Sequence, residues 1–114
     1  MKKNPHVIAD FFNVKAELLQ DISFIRKSLI GSAEKSNATI LHDFFHKFGG
    51  EGGVTGFLAL SESHISIHTW PEYNKAHIDI FLCVNNSEAP IDALNHLIES
   101  FKPNKHEFEI IYRP

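Results

Sequence analysis

Apolar and polar residues alternate with two different periods in the first third of the chain. Residues 6 to 12 (HVIADFF) predict a short strand, and Asn13 follows as a side chain suited to cap a helix. Residues 14 to 32 predict that helix, because apolar residues recur there at spacings of four, three and four. Its apolar face carries Leu18, Ile22, Ile25 and Leu29.

The middle of the chain has the period of two that is typical of strands. Residues 39 to 48 predict a strand. One of its faces carries Ile40, His42, Phe44, His46 and Phe48, and the other carries Leu41 and Phe45. The glycine-rich segment 49 to 53 predicts a loop that lets backbone approach a ligand closely. Further strands are predicted at 54–60, 63–70 and 76–84, with a turn over 71–75.

The last third predicts one helix and one closing strand. A helix over residues 88 to 101 is capped near Asn86 or Ser87, accepts Pro90 in its first turn and ends before Pro103. Its buried stripe is expected to contain Ile91, Leu94, Ile98 and Phe101. Residues 106 to 112 predict the closing strand.

This order of elements favours the α+β class. We predict a single domain over residues 1–114, built as a two-layer α/β sandwich. Its mainly antiparallel sheet has two helices packed on one face.

Composition narrows the possible partners and compartments. The 114 residues carry a net charge of −3 with no basic run, which argues against nucleic acid or an anionic membrane as partner. No apolar segment approaches the roughly 20 residues of a membrane span, and the start of the chain is unlike a signal peptide. The one cysteine, Cys83, suits a reducing compartment. We therefore expect a soluble cytoplasmic protein.

Eight histidines suggest a metal site, but their spacing argues against it. H-x3-H pairs occur at 42/46 and 64/68, both within predicted strands. Four residues of a strand span roughly 13 Å, too far for two imidazoles to share one ion. Serine hydrolase chemistry is also disfavoured, because the G-x-S-x-G elbow is absent.

Pairing of the predicted strands brings several polar residues together. A hairpin about Tyr73 sets Ser63 opposite Cys83, with Cβ atoms about 5 Å apart. A tight turn at 61–62 sets Thr55 opposite His68. Residue types alone do not assign chemistry here, since a lone cysteine is commonly a small core residue and alternate polar residues of a strand are commonly solvated. They indicate an α+β domain with a polar cluster around Ser63.

A longer pattern carries more information. The segments ESHISIHTWPE (62–72) and HIDIFLC (77–83) resemble the short prokaryotic, self-processing S-adenosylmethionine decarboxylases, which carry a pyruvoyl group made from their own serine. The similarity extends to FFNVKAELLQD (11–21) and HDFFHKF (42–48), and thus over most of the chain.

The resemblance implies that the chain cleaves itself between Glu62 and Ser63, giving a β chain of residues 1–62 and an α chain of residues 63–114. Ser63 Oγ would attack the Glu62 carbonyl, and elimination with loss of ammonia would leave the pyruvoyl group. His68 matches the family's processing acid/base. Thr55 stands at the position of a helper serine and keeps the hydroxyl.

The resemblance also assigns roles in turnover. The pyruvoyl group would form a Schiff base with the substrate's amine and serve as the electron sink, with no external cofactor. Cys83 matches the proton donor. Trp70 and Glu72 match residues that bind adenine and ribose, and Phe48 is expected to pack on adenine although position 49 is glycine and the loop departs from the family pattern.

Three functions stay open at this point. The first is decarboxylation of S-adenosylmethionine for spermidine biosynthesis by a homodimer of processed protomers. The second is decarboxylation of ornithine or arginine on the same fold, and the third is a dimeric binding domain that never cleaves itself.

The first two functions meet a geometric conflict. A straight strand puts His68 about 17 Å from Ser63 and on the other face of the sheet. Either the strand bends after Ser63 or the register is wrong.

Overall fold

The computed structural model describes residues 4 to 114, which fold into one antiparallel sheet covered on one face by helices. The strands are β1 (Asn4–Phe12), β2 (Ile40–Lys47), β3 (Val54–Leu60), β4 (Ser63–Trp70), β5 (Lys75–Leu82) and β6 (Lys105–Arg113). The helices are α1 (Ala16–Gln20), α2 (Ile22–Lys35) and α3 (Ala89–Phe101), with a 3₁₀ turn at Pro71–Tyr73. The strand order is β2-β3-β4-β5-β1-β6. The predicted α+β fold is confirmed.

The core lies between the sheet and the helices. Burial alternates strictly along the central strands, so that every second side chain is removed from solvent. The largest buried side chains are Phe11, Leu58, Ile65, Ile67, Ile80 and Leu82 from the sheet and Leu19, Ile25, Leu29, Leu94, Leu97 and Phe101 from the helices. Burying an aliphatic or aromatic side chain of this size stabilises the fold by roughly 1.5–3 kcal/mol.

The predicted helix 14–32 is two helices, broken at Asp21. Asp21 has an extended backbone (φ −92°, ψ 96°), and its carboxylate accepts a hydrogen bond from the Phe24 N–H at 3.0 Å. It therefore caps α2. The prediction that Asn13 caps the helix was wrong: Asn13 has φ 56° and forms a turn after β1, while the Lys15 that precedes α1 makes no side-chain cap.

Helix α3 agrees with the prediction in its length and in some of the residues that it buries. Leu94 and Phe101 are buried as expected, whereas Ile91 and Ile98 are half-buried and Leu97 takes a core position. Pro90 lies in the first turn. The Oδ1 of Asn86 accepts a hydrogen bond from the Glu88 N–H, just before the helix.

Strand β2 contains a bulge that the alternation did not reveal. Ile40 pairs with Leu60, but His42 pairs with Ala59, so that Leu41 has no partner. The extra residue turns Ile40 to the core side while His42, Phe44 and His46 stay on the opposite side. The prediction that Ile40 shares a face with these three was therefore wrong.

One of the two predicted registers is confirmed. Strands β3 and β4 pair Thr55 with His68 as expected. Strands β4 and β5 are shifted by one residue, so that Ser63 lies opposite Leu82 and not opposite Cys83. The cause is the turn: Asn74 has φ 53° and its N–H bonds to the Pro71 carbonyl, which returns the chain to the sheet already at Lys75.

The face of the sheet away from the helices, here called the open face, positions the candidate site. Its side chains on β1, β3, β4 and β5 are half-buried or exposed. Large apolar groups stand on it, including Ile8, Phe44, Phe57 and Trp70. It also carries six of the eight histidines, namely His6, His42, His46, His64, His68 and His77. No helix within residues 4–114 has the length and apolarity to cross a membrane.

Candidate active site

The turn between β3 and β4 is held in place by the residue before β2. Thr39 donates its N–H to the Glu62 carboxylate (Oε1, 3.0 Å) and accepts a hydrogen bond from the Ser61 N–H at 3.0 Å. Because these bonds join segments more than 20 residues apart, they fix the turn to the sheet.

The peptide bond between Glu62 and Ser63 lies between a hydrogen-bonded carbonyl and a residue with a rare backbone conformation. The Glu62 carbonyl oxygen accepts a hydrogen bond from the Cys83 N–H at 2.8 Å. Such a donor stabilises negative charge that develops on a carbonyl oxygen when a nucleophile attacks the carbonyl carbon. Ser63 itself has φ 141°, a backbone conformation that residues other than glycine rarely adopt.

His64 is the histidine that contacts Ser63. Its Nδ1 lies 3.3 Å from Ser63 Oγ, within hydrogen-bond distance. Sequence reasoning did not assign His64 a role, although it belongs to the Glu-Ser-His segment of the family pattern. The usual geometry of a strand gives neighbouring residues opposite faces, so the contact depends on the unusual φ of Ser63.

Aromatic rings and one carboxylate surround His64. Its ring stacks on Phe57 (centroids 5.6 Å apart, interplanar angle 22°) and meets the edge of Phe81 at 6.1 Å. Burial lowers the pKa of His64 below the ordinary value of 6.5, the neighbouring His6 lowers it further, and Asp79 opposes both effects. The neutral imidazole is therefore favoured, and a neutral imidazole can accept a proton.

The opposite end of β4 holds a second cluster. Thr55 Oγ1 and His68 Nδ1 are 3.1 Å apart, so the two predicted processing residues do contact each other. They line a cavity of about 250 Å³ together with Phe48, Gly52, Gly53, Thr69, Trp70 and Glu72. The structure thus brings together all the predicted substrate-binding residues in one cavity.

The floor of this cavity is fixed by buried contacts. The Thr69 hydroxyl accepts a hydrogen bond from the Val54 N–H at 2.8 Å and donates one to the Leu19 carbonyl at 2.7 Å. Gly53 packs so closely on the Thr69 carbonyl that a Cβ at this position would collide with it. The last residue of the GGEGG loop therefore has to be small to let the loop approach β4.

The two clusters lie far apart within one chain. The cluster at the turn contains Glu62, Ser63, His64 and Cys83, and the cluster at the cavity contains Thr55, His68, Trp70 and Glu72. Strand β4 is continuous from Ser63 to Trp70, so five residues separate Ser63 from His68 by about 17 Å. Strand β4 is continuous and the Thr55–His68 register is confirmed, while the one-residue error in the β4–β5 register leaves this distance unchanged. Neither expected explanation therefore brings His68 to Ser63 within one chain.

The histidine pairs lie as the strand spacing predicts. His42 and His46 are on β2, and His64 and His68 are on β4. Among residues 4–114, no three His, Cys, Asp or Glu side chains are arranged to hold a metal ion.

Fold and site together define a small α+β protein whose polar site lies on the open face of the sheet. At one end of this site, a hydrogen-bonded turn is followed by a serine with a rare backbone φ angle. The sequence pattern of the S-adenosylmethionine decarboxylase family matches residues 5 to 114. The chain belongs to this family, which confirms the resemblance noted in the sequence.

Individual relatives agree with this assignment. The S-adenosylmethionine decarboxylase proenzyme of Acidithiobacillus ferrooxidans is 40% identical over 95 residues, which cover 83% of this chain and 70% of that protein. The proenzyme of Clostridium kluyveri is 38% identical over 96 residues, covering 84% and 75%. The crystal structure of the adenosylmethionine decarboxylase from Aquifex aeolicus superposes with a TM-score of 0.92 at 30% identity, covering 99% of this chain and 92% of that one.

Proposed function

We propose that this chain is a proenzyme that cleaves itself between Glu62 and Ser63 and then acts as a carboxy-lyase on S-adenosylmethionine. The observation that carries the proposal is the 2.8 Å hydrogen bond from the Cys83 N–H to the Glu62 carbonyl. It activates the one carbonyl that the family resemblance identifies as the point of attack. The products would be residues 1–62 and residues 63–114.

The residues present fit a pyruvoyl group derived from Ser63. The hydroxyl of Ser63 adjoins the carbonyl it would attack, a neutral histidine lies against it, and the turn is fixed at Thr39. The pyruvoyl group supplies the electron sink for decarboxylation. The chain's own groups hold the scissile carbonyl, receive the hydroxyl proton and present a thiol beside the new terminus.

Cys83 is proposed as the proton donor at the substrate carbon. Its side chain is exposed just after β5, and its backbone N–H is bonded to the carbonyl of Glu62, the residue before Ser63. Cys83 therefore belongs to the segment that adjoins the residue that would become the pyruvoyl group. This placement supports a role for the thiol in turnover and a separate role for the backbone N–H in cleavage.

Replacing Cys83 by alanine separates these two roles. Cys83→Ala keeps the backbone N–H, so we expect cleavage at Glu62/Ser63 at the normal rate, with the 63–114 fragment lighter by one sulfur atom. Carbon dioxide release should fall by about 10²- to 10⁴-fold, the usual contribution of a placed acid. Val84→Ala, a change at the next residue, is the control and should stay active. A fully active Cys83→Ala would refute the assignment.

The cavity at the far end of β4 supports S-adenosylmethionine as the substrate. Trp70 is 40% exposed and offers a flat, electron-rich face to a purine and to the adjoining sulfonium cation. Glu72, exposed in the 3₁₀ turn, offers a carboxylate to ribose hydroxyls. Ornithine and arginine have neither adenine nor ribose. The product would supply the aminopropyl group for spermidine biosynthesis in the cytoplasm.

A direct comparison of substrates tests this choice. We expect carbon dioxide release from S-adenosylmethionine and none above background from ornithine or arginine. Trp70→Ala should lower this activity mainly through KM, because it removes a binding surface and leaves the reacting groups in place. Release from ornithine or arginine alone would favour the second function. No release from any substrate by a chain that stays uncleaved would favour the binding domain.

We further propose that each active site is completed by a second copy of the chain. One chain holds its two clusters about 17 Å apart at opposite ends of β4. If two open faces pack together about a two-fold axis through the middle of β4, the Ser63 end of each copy meets the cavity end of the other. The exposed Phe44, Phe57 and Trp70 give that face the apolar surface that such a contact buries.

A further inference from the structure

We propose that His64 is the base that takes the hydroxyl proton of Ser63 in the first step of self-cleavage, and that His6 and Asp79 position it. This inference rests on the proposed self-processing function and assigns a residue that the family resemblance leaves without a role. The contact that carries it is the 3.3 Å approach of His64 Nδ1 to Ser63 Oγ. His68, about 17 Å away in the same chain, does not make it.

The geometry specifies how the ring is held. Phe57 stacks on one side of His64 at 5.6 Å, and Phe81 meets it edge-on. With the ring so held, Nδ1 stays directed at the hydroxyl. Ser63 can then donate its O–H to Nδ1, provided that the ring proton is on Nε2. The neighbouring strand β3 contributes only Phe57 and Ala59 here, which do not titrate.

The groups that titrate or carry charge around His64 come from three other strands. His6 of β1 lies with its ring centroid 6.3 Å from that of His64, and its Nε2 is 3.5 Å from Asp79 Oδ1 of β5. Arg113 of β6 approaches His6 Nδ1 at 3.5 Å. His6 Nδ1 therefore faces a guanidinium group, and His6 Nε2 lies near the Asp79 carboxylate. In the part of the chain that the structure describes, that buried Nε2 has no full hydrogen bond.

These groups account for every bond change and proton transfer of the first step. The Ser63 Oγ–H bond breaks as Oγ bonds to the Glu62 carbonyl carbon, and His64 Nδ1 takes the proton. The carbonyl oxygen, bonded to the Cys83 N–H, carries the negative charge of the tetrahedral intermediate. Its collapse breaks the C–N bond, and the proton passes to the Ser63 nitrogen. The product is an ester between Glu62 and Ser63 with a free amine.

Two histidines then serve two different proton transfers. His64 acts on the hydroxyl, before the ester exists. His68, which the resemblance assigns to processing, is left for the later removal of the Ser63 α-proton. The Cβ–Oγ bond of Ser63 then breaks, and the new C-terminal α-carboxylate of Glu62 leaves. Hydroxylamine distinguishes the two stages, because it cleaves an ester at neutral pH and leaves an amide intact.

The test follows full-length chains made by cell-free synthesis, with cleavage measured by intact mass. His64→Asn keeps a hydrogen-bonding group and removes the base, so cleavage should slow by about 10²- to 10⁴-fold. The uncleaved chain should resist hydroxylamine. His42→Asn, another open-face histidine opposite Ala59, is the matched control and should cleave normally. An unfolded His64→Asn, recognised by circular dichroism, is replaced by His64→Ala with added imidazole, which should restore cleavage.

The pH profile gives a second readout that a structural role would not move. His64 accepts a proton only when neutral, so the wild-type rate should rise with pH and reach its plateau through a midpoint below 6.5. His6→Asn removes a neighbour that lowers this midpoint and should shift it upward. Asp79→Asn removes a group that raises it and should shift it downward.

The outcomes separate this inference from the function on which it rests. A wild-type chain that never cleaves would overturn both. A cleaving wild type together with a His64→Asn chain that cleaves at the same rate, or that accumulates an ester sensitive to hydroxylamine, would overturn the role of His64 alone. Unmoved midpoints in His6→Asn and Asp79→Asn would overturn the role of those two residues in positioning His64.

Discussion

Ser63→Ala should give a single intact species of 12.9 kDa with no detectable decarboxylation, however long it is incubated. The substitution removes the oxygen that attacks the Glu62 carbonyl and also the atom from which the pyruvoyl group would be made. Both the first bond change and the later chemistry are lost together, so no partial activity is expected. Intact-mass analysis after prolonged incubation, with carbon dioxide release measured in parallel, checks the result.

Ser61 provides the matched control in the same turn. Its hydroxyl lies 3.5 Å from the Thr39 carbonyl, a partner other than Ser63. Ser61→Ala should therefore cleave at Glu62/Ser63 like the wild type. If Ser63→Ala still produced fragments of residues 1–62 and 63–114, an attacking group other than this hydroxyl would be required, and the proposed processing would be wrong.

Two inactive variants should restore cleavage when they are combined. Ser63→Ala lacks the reacting serine, and a His68→Asn chain lacks the group at the other end of β4. In a two-fold dimer that contains one chain of each kind, one site has both an intact Ser63 and an intact His68. With random pairing after co-expression, about half of the His68→Asn chains should be cleaved, and no Ser63→Ala chain should be.

A mass tag on one of the two variants distinguishes the chains, so that intact-mass analysis shows which chain was cleaved. The control co-expresses Ser63→Ala with a chain that carries both Ser63→Ala and His68→Asn, where no site has a serine. If the mixture of single variants stays wholly uncleaved although mixed dimers are demonstrated, both groups must act within one chain. That result would contradict the shared active site.

The strands and the helix stripes could be predicted because burial imposes a period on the sequence. The same reasoning failed where one residue departs from that period. Leu41 bulges out of β2 and reverses the face of Ile40, and Asn74 adopts φ 53° and shifts the β4–β5 pairing by one position. In each case the hydrophobic pattern is unchanged. The departure is fixed by local backbone geometry that hydrophobicity does not encode.

The part of the candidate site that could be predicted consists of residues that match the family pattern. Thr55 and His68 were expected to act in processing at Ser63, and Trp70, Glu72 and Phe48 were expected to bind the substrate. These five line one cavity, which does not include Ser63 or Cys83. The distance of His68 from Ser63 followed from strand geometry, and the proposed contribution of a second copy of the chain rests on that distance. His64 was missed because its contact with Ser63 depends on a φ value that the serine residue type does not predict.

The backbone conformation of Ser63 has a consequence for the direction of processing. A φ of 141° is costly for an L-residue, of the order of 1–3 kcal/mol, because Cβ crowds the neighbouring peptide groups. Conversion to a pyruvoyl group removes the amide nitrogen and makes the α-carbon planar, so the dihedral that carries the cost no longer exists. The folded precursor would therefore store free energy that cleavage releases. In the proposed processing, this release would favour the cleaved product over the intact chain.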